Sequence, residues 1–296
     1  MKKILLLFII LFLTGCNSYV ELNNLGVINS IAIEKNNNYK LYASIIIEVA
    51  ENGNPKTKIY EIEGKNIIES FDNLSISLNK KIYLSHLDLL IINDSIKDNE
   101  LLEIINYFLN NNETREDFLI ITSNDLKKIL ENTKWQEIND LIRINHTETS
   151  KSIYTTMYDL MNNYFKKSPI YLTNIKYDQN ININGITKIY HNKHQLIQND
   201  KSLFINYLLN NIETYKYNFE CDNNKYLYLN ILTSNTNIIN NTLFITNEIK
   251  VINNECNLNK KDINKLFNNY LKSNLKEFTN KNINIENTIR SLYENN

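Results

Sequence analysis

Between Val27 and Leu130 the sequence alternates extended apolar runs with segments of helical periodicity. From Ile67 to Leu78, apolar residues recur at i, i+4, i+7 and i+11, which is the spacing of one helix face. The second half of Ile82–Ile92 is a continuous apolar run, typical of a strand that is buried on both faces. Strands and helices that alternate in this way pack as a sheet covered by helices. The pattern therefore predicts an α/β domain in the first half of the chain.

The elements predicted in this half begin with a hairpin across Asn36-Asn37-Asn38. Its strands are Val27–Glu34 and Tyr39–Val49. Further strands are predicted at Lys58–Glu63, in the second half of Ile82–Ile92 and at Asp117–Thr122, and helices at 66–79, 98–109 and 123–130.

The second half has short strands followed by one long amphipathic helix. A polar, Asn-rich stretch begins at Asp178, and we place a domain boundary there. Beyond it we predict a hairpin at 185–196, a helix at 202–210, strands at 215–220, 226–232 and 243–252, and a helix at 262–279. The predicted fold class is α+β, with mixed sheets flanked by helices in two or three subdomains. An α/β domain occupies residues 16–178 and an α+β domain residues 179–296.

The N-terminus has the features of a cleaved secretory signal. A basic start, Met1-Lys2-Lys3, precedes an apolar run that is shorter than the roughly 20 residues a membrane span needs. The segment Leu13-Thr14-Gly15-Cys16 then has the form of a bacterial lipobox. We predict a signal peptide at residues 1–15 and a diacylglyceryl group on the thiol of Cys16. The alternative is an ordinary signal peptide that happens to precede a cysteine.

Composition excludes some classes of function. The formal net charge is -1 and becomes more negative once Lys2 and Lys3 leave with the signal, so nothing basic enough for nucleic acid remains. Only 5 Gly and 2 Pro occur, so Asn has to form most of the turns. Phosphate-binding loops need several glycines close together, and the sequence has none.

Candidate catalytic and metal-binding residues are few. His191 and His194 are three apart, but a predicted hairpin turn separates them and no Cys or carboxylate neighbour completes a metal site. His86 with Asp88 resembles part of a catalytic triad, yet no Gly-x-Ser-x-Gly motif accompanies them, and we assign His86 a structural role. We therefore predict no catalytic residues, no metal and no cofactor.

Two further cysteines remain after Cys16. Cys221 ends one predicted strand and Cys256 follows another. In an exported chain they can form a disulfide if their Cα atoms lie within about 7 Å, and otherwise they are two unpaired thiols.

Several short segments, in order, resemble the Ger(x)C family, the lipoprotein C subunits of spore germinant receptors. These are the lipobox, Glu21-Leu22-Asn23, the Ile82–Leu87 segment with His86, and Arg115 before a buried strand. The family carries Trp-Asp after the lipidated cysteine, where this chain has Asn17-Ser18. We also expect no closing strand before the chain ends, soon after Arg290.

The resemblance implies a non-catalytic lipoprotein on the extracytoplasmic face of a membrane. Its implied partners are the lipid bilayer, through diacylglyceryl-Cys16, and integral membrane A- and B-type receptor subunits. One alternative is a stand-alone surface lipoprotein that binds a solute or the cell wall. Another is a metal-dependent surface enzyme that uses His191 and His194, which we rank below both.

Overall fold

The computed structural model describes residues 24–49, 55–221 and 224–290 of the chain. The elements of its first half are β1 (Leu25–Lys35), β2 (Tyr39–Val49), β3 (Pro55–Gly64), α1 (Ile67–Leu78), β4 (Lys81–Tyr83), β5 (Leu89–Asn93), α2 (Asp98–Leu109), β6 (Leu119–Ser123), α3 (Leu126–Asn132), α4 (Trp135–Thr149) and α5 (Met157–Phe165). Those of the second half are β7 (Ile170–Asp178), β8 (Asn180–Tyr190), β9 (Lys193–Gln198), α6 (Ser202–Leu208), β10 (Tyr215–Glu220), β11 (Tyr226–Ile239), β12 (Thr242–Asn254), α7 (Lys260–Leu275) and β13 (Asn282–Arg290).

The first sheet has the strand order β3-β2-β1-β5-β6-β7-β8-β9, with β4 beside the start of β1. Its centre is parallel, since β1, β5 and β6 run in the same direction. Hairpins flank this centre on both sides, so the sheet is mixed as predicted.

Helices cover both faces of the first sheet. On β5, Leu90 and Ile92 pack with α1, α2 and α5, whereas Leu89 and Ile91 pack with α3 and α4. All four side chains are almost inaccessible to solvent. The continuous apolar run therefore forms a strand buried on both faces, as its sequence predicts.

The apolar second half of Ile82–Ile92 forms β5, as predicted, while the first half contains a separate short strand, β4. Both strands pair with β1, first at Leu25–Val27 and then at Ser30–Ile33. Between them, the Leu87 N–H donates to the Leu84 carbonyl in a turn whose leucines are buried. Burial of these two leucines explains why the turn has apolar residues like those of the flanking strands.

The first sheet also runs past the predicted domain boundary. β8 pairs with β7 along its whole length, and the turn between them is at Gln179, with φ of 61°. β9 then pairs with β8. The change to the second sheet comes between Gln198 and Tyr215. The division into two domains at Asp178 stays a prediction.

The second sheet has the order β10-β11-β12-β13, and the apolar face of α7 packs on it. Our expectation that no strand closes the chain is wrong, since β13 pairs in parallel with β12 over nine registered residue pairs. The alternation of Asn and Ile from Asn282 to Ile285 is a strand pattern. Ile285 is buried against the sheet's core.

Asparagine forms many turns, as the composition predicts. In the described residues, Asn79, Asn192, Asn210, Asn224, Asn240, Asn241 and Asn257 all have positive φ. Asn tolerates this left-handed region better than other residues with a side chain. The Asn240-Asn241 turn lets β11 and β12 continue through the polar segment after Leu232, so both strands are longer than predicted.

Candidate functional site

Four parallel strands begin at one edge of the first sheet. Leu25 of β1 is level with Lys81 of β4, and Leu89 of β5 is level with Leu119 of β6. We call this the amino edge, and define it as Leu25, residues 81–89 and residues 113–119. The chain from Cys16 enters the described structure here.

Hydrogen bonds join the two segments of the amino edge. The Ser85 hydroxyl donates to the Glu113 carbonyl oxygen over 2.7 Å, and the Lys81 ammonium pairs with the Glu113 carboxylate. The Leu119 N–H donates to the Asp88 carbonyl over 3.0 Å. The turn before β5 and the segment before β6 therefore form one continuous surface.

The amino edge brings together two residues that carry the family resemblance. His86 is exposed, with its ring centroid 5.8 Å from that of Tyr83. The Arg115 guanidinium donates to Asp117, with Nε 2.9 Å from Oδ1. Burial raises the pKa of the neighbouring Asp88 carboxyl. The positive charges of Arg115 and His86 oppose that rise.

The Arg115–Asp117 pair contributes little to the stability of the fold. Hydrogen bonding from Arg115 lowers the pKa of Asp117, but both side chains are more than half exposed. Solvent screens such pairs, which are typically worth at most about 1 kcal/mol. Arg115 and His86 are both exposed at the amino edge, and the structural role expected of His86 stays a prediction.

The other family-like positions, Glu21, Leu22 and Asn23, lie outside the described residues, as does Cys16. Of the described residues, no helix is long and apolar enough to cross a membrane.

A groove of about 800 Å³ lies between α1 and α2. Ile67, Phe71 and Tyr107 form its apolar floor, and the rings of Phe71 and Tyr107 stack with centroids 4.1 Å apart. Lys81 and Glu113 of the amino edge form one end of its lining. The groove therefore adds an apolar surface that reaches the amino edge.

A polar network that no sequence motif indicates lies at the opposite end of the parallel strands. The Asn174 amide donates to both carboxylate oxygens of Asp94, at 2.9 and 3.1 Å, and to the Thr122 hydroxyl at 2.9 Å. Burial raises the pKa of Asp94, and the donors oppose the rise. β6 and β7 share one registered pair, Thr122 with Asn174, so side-chain hydrogen bonds provide much of the contact between these two strands. The residues of the network are far apart in sequence, and no sequence motif therefore shows it.

We predict that Asn174→Ala lowers the free energy of unfolding by about 2–4 kcal/mol at neutral pH, because the Asp94 carboxylate loses buried donors. Since a protonated Asp94 needs these donors less, the penalty should shrink as pH falls through the pKa of Asp94. Urea denaturation at several pH values measures both effects. Asn182→Ala is the control, because Asn182 is exposed and donates only to a local carbonyl. Equal penalties for the two variants would contradict the role of the network.

Cys221 and Cys256 are bonded to each other in the structure, with Cα atoms 6.1 Å apart. The bridge joins the end of β10 to the segment after β12, across a sequence separation of 35. It belongs to the second sheet, so it is not part of the amino edge.

We predict that the double variant Cys221→Ser/Cys256→Ser loses about 2–4 kcal/mol of stability, because the bridge closes a long loop in the unfolded chain. Urea denaturation of the oxidised wild type, the reduced wild type and the variant checks this. The reduced wild type should unfold near the variant. If all three unfold at one urea concentration, the bridge does not stabilise the fold.

His191 and His194 belong to the hairpin between β8 and β9. His191 lies in the turn, with φ of 50°, and His194 of β9 pairs with Ile189 of β8. Within the described ranges, no group of three or more His, Cys, Asp or Glu side chains is arranged to hold a metal ion.

Comparisons with known proteins agree with the resemblance seen in the sequence. The family model described as "Spore germination protein N-terminal domain" matches residues 18–177, more than half of the chain. Spore germination protein KC of Bacillus subtilis (strain 168) is 30% identical over 113 residues, a match covering 34% of this chain and 28% of that protein. The chain thus spans less than a third of this relative.

A solved structure supports the fold. The crystal structure of the GerBC protein aligns with a TM-score of 0.51 and 13% sequence identity, over 88% of this chain and 96% of that one. This likeness confirms the predicted α+β class with mixed sheets and helices. Together with the match over residues 18–177, it shows that the chain belongs to the Ger(x)C family of spore germination proteins.

Proposed function

We propose that the mature chain is a lipoprotein subunit of a germinant-receptor-like complex that acts in spore germination. Diacylglyceryl-Cys16 anchors it to the extracytoplasmic face of a membrane, where it docks to multi-span subunits and catalyses no reaction. The observation that carries this proposal is the family match over residues 18–177, which begins two residues after the lipobox cysteine.

The anchor supports docking through effective concentration. A tethered body meets integral membrane partners as if they were present at a high local concentration, so modest contacts become occupied. His86 and Arg115 provide exposed, chemically distinct side chains at the edge where the tether begins. These two residues are the proposed partner contacts.

Co-purification tests the proposal. A tagged full-length chain, extracted from its native membranes in mild detergent, should bring down multi-span proteins. The double variant His86→Ala/Arg115→Ala should recover several-fold less of them at equal expression. The matched control His191→Ala/Lys250→Ala removes an exposed His and an exposed cation elsewhere and should recover the wild-type amount. Recovery of no multi-span protein with the wild-type chain would contradict the docked-subunit function.

One observation favours the alternative of a stand-alone solute-binding lipoprotein. A cleft of about 670 Å³ lies between the two sheets, with Tyr154 and Tyr171 on one side and Phe278 on the other. Asp159 and Lys281 add opposite charges to its lining. A thermal-shift screen of amino acids and sugars distinguishes the two functions. A stabilising ligand whose effect is lost in Lys281→Ala would favour the alternative.

A further inference from the structure

Large apolar side chains are exposed at the amino edge. Ile76 is 76% exposed, Ile47 59% and Tyr158 58%. Leu109 and Tyr154 are each more than 40% exposed. We call these five residues the edge patch.

Each member of the edge patch is placed at the amino edge by its element. Ile76 is in the last turn of α1, just before β4, and Leu109 ends α2, just before the segment 113–119. On β2, Ile45 pairs with Ile28, which is near the start of β1. Ile47 comes two residues after Ile45 and therefore lies at the same edge.

The two tyrosines are tied to the same edge from α5 and the segment before it. The Tyr158 N–H donates to the Glu116 carbonyl over 2.9 Å. Tyr154 precedes Thr155, whose carbonyl accepts from Ile120 of β6 over 2.8 Å. The charges of Asp117 and Asp88 act on the Tyr154 hydroxyl, whose pKa is raised mainly by burial.

The length of the tether limits how far this edge can be from a membrane. Residues 17–24 separate Cys16 from Leu25, and fully extended they reach at most about 30 Å. The opposite end of β1 is a further ~35 Å away, at about 3.3 Å per residue along its 11 residues. The tether can therefore bring the amino edge onto the bilayer, whereas the opposite end of β1 is too far from Cys16 to reach it.

The charges at the edge point to a neutral interface. Lys80, Lys81 and Arg115 are interspersed with acidic groups, and Lys81 and Arg115 are paired with carboxylates. The amino edge therefore has no strong preference for anionic lipid. Tyrosine, however, is enriched at the headgroup level of membranes.

We propose that the amino edge lies on the membrane surface, with the edge patch seated among the headgroups of the phospholipid bilayer. This rests on the proposed anchor at Cys16 and adds the orientation of the body relative to the membrane. The tether holds the patch at high effective concentration beside the bilayer, so a weak interfacial contact is enough to fix that orientation.

Tryptophan quenching by brominated phosphatidylcholine tests the orientation. The mature lipidated chain is reconstituted in vesicles that contain no other protein, with Trp135, its single tryptophan, replaced by Phe. One tryptophan is then introduced as Ile76→Trp or Tyr158→Trp at the patch, or as Asn37→Trp at the opposite end of β1. Circular dichroism and vesicle flotation establish that each variant is folded and attached.

We expect brominated lipid to quench the two patch tryptophans at least twofold more than Trp at position 37. Equal quenching, or stronger quenching at position 37, would overturn the orientation. No quenching at any position of a chain that still floats with the vesicles would overturn the lipid contact, leave the anchor standing and point to a protein covering the patch. Failure to float would instead overturn the proposed anchor, and the orientation with it.

A measurement on the wild-type chain avoids substitutions. Hydroxyl-radical labelling, read by mass spectrometry, should modify Tyr158 and Ile76 several-fold less in vesicles than in detergent-free solution after removal of the acyl chains. Labelling of Ile252, an exposed residue near the end of β12 that is far from the cleft beside Tyr154, should stay the same. Unchanged labelling of Tyr158 and Ile76 would contradict the proposal.

Discussion

A Cys16→Ala chain should leave the membrane fraction almost completely. Two acyl chains hold a protein stably on a bilayer, whereas one chain binds only marginally. The edge patch alone is too small to replace covalent lipid. Cell fractionation followed by immunoblotting should therefore move the signal from membranes to the soluble or secreted fraction.

The matched control keeps Cys16 and removes the other two thiols. Cys221→Ser/Cys256→Ser should stay with the membrane, because the disulfide belongs to the second sheet and carries no lipid. A Cys16→Ala chain that remains fully membrane-bound and supports germination would show that the anchor is elsewhere.

Gly185→Ala should destabilise the protein by at least about 3 kcal/mol. Gly185 has φ of +146°, a conformation that residues with a side chain rarely adopt, and such strain costs roughly 1–3 kcal/mol. A Cβ atom there would also meet the carbonyl oxygen of Ile197 at 2.0 Å, and that oxygen belongs to the backbone of β9. The pairing of β8 with β9 would have to shift, and with it the last strand before the second sheet.

Thermal and urea denaturation of Gly185→Ala against Gly26→Ala measures this effect. At Gly26 the nearest atom to a new Cβ is a flexible side-chain methyl of Leu78, 3.1 Å away. Gly26→Ala should therefore stay within about 1 kcal/mol of wild type. Similar stabilities for the two variants would contradict the close approach of β8 and β9.

Elements with strong periodicity were predictable from the sequence. The amphipathic face of α1 and the doubly buried β5 follow from the spacing of their apolar residues. The use of asparagine in turns was predictable, because few glycines are present to form them. Local chemistry is enough for such features.

Features that depend on tertiary pairing were predicted less well. The break between β4 and β5 is hidden because Leu84 and Leu87 are as buried as strand residues. The first sheet continues into β8 because β7 offers a free edge, which the polar composition after Asp178 does not reveal. The sequence around Asn174 has no recognisable pattern, because Asp94 and Thr122 are distant in sequence and approach Asn174 only in the folded protein.

The candidate site was predictable in part. His86 and Arg115 carry the family resemblance, but only the parallel register of β5 and β6 shows that they share an edge. The five residues of the edge patch come from four separate segments and are not predictable as a group from the sequence. Its position beside the entering chain is what links the fold to the proposed anchor.

Mass spectrometry of the N-terminal peptide from the membrane-extracted protein tests the central claim most directly. We predict that the mature chain begins at Cys16 and that this peptide carries the mass of a diacylglyceryl group. An N-terminal peptide that retains residues upstream of Cys16, with the thiol unmodified, would contradict the lipid anchor and the function built on it.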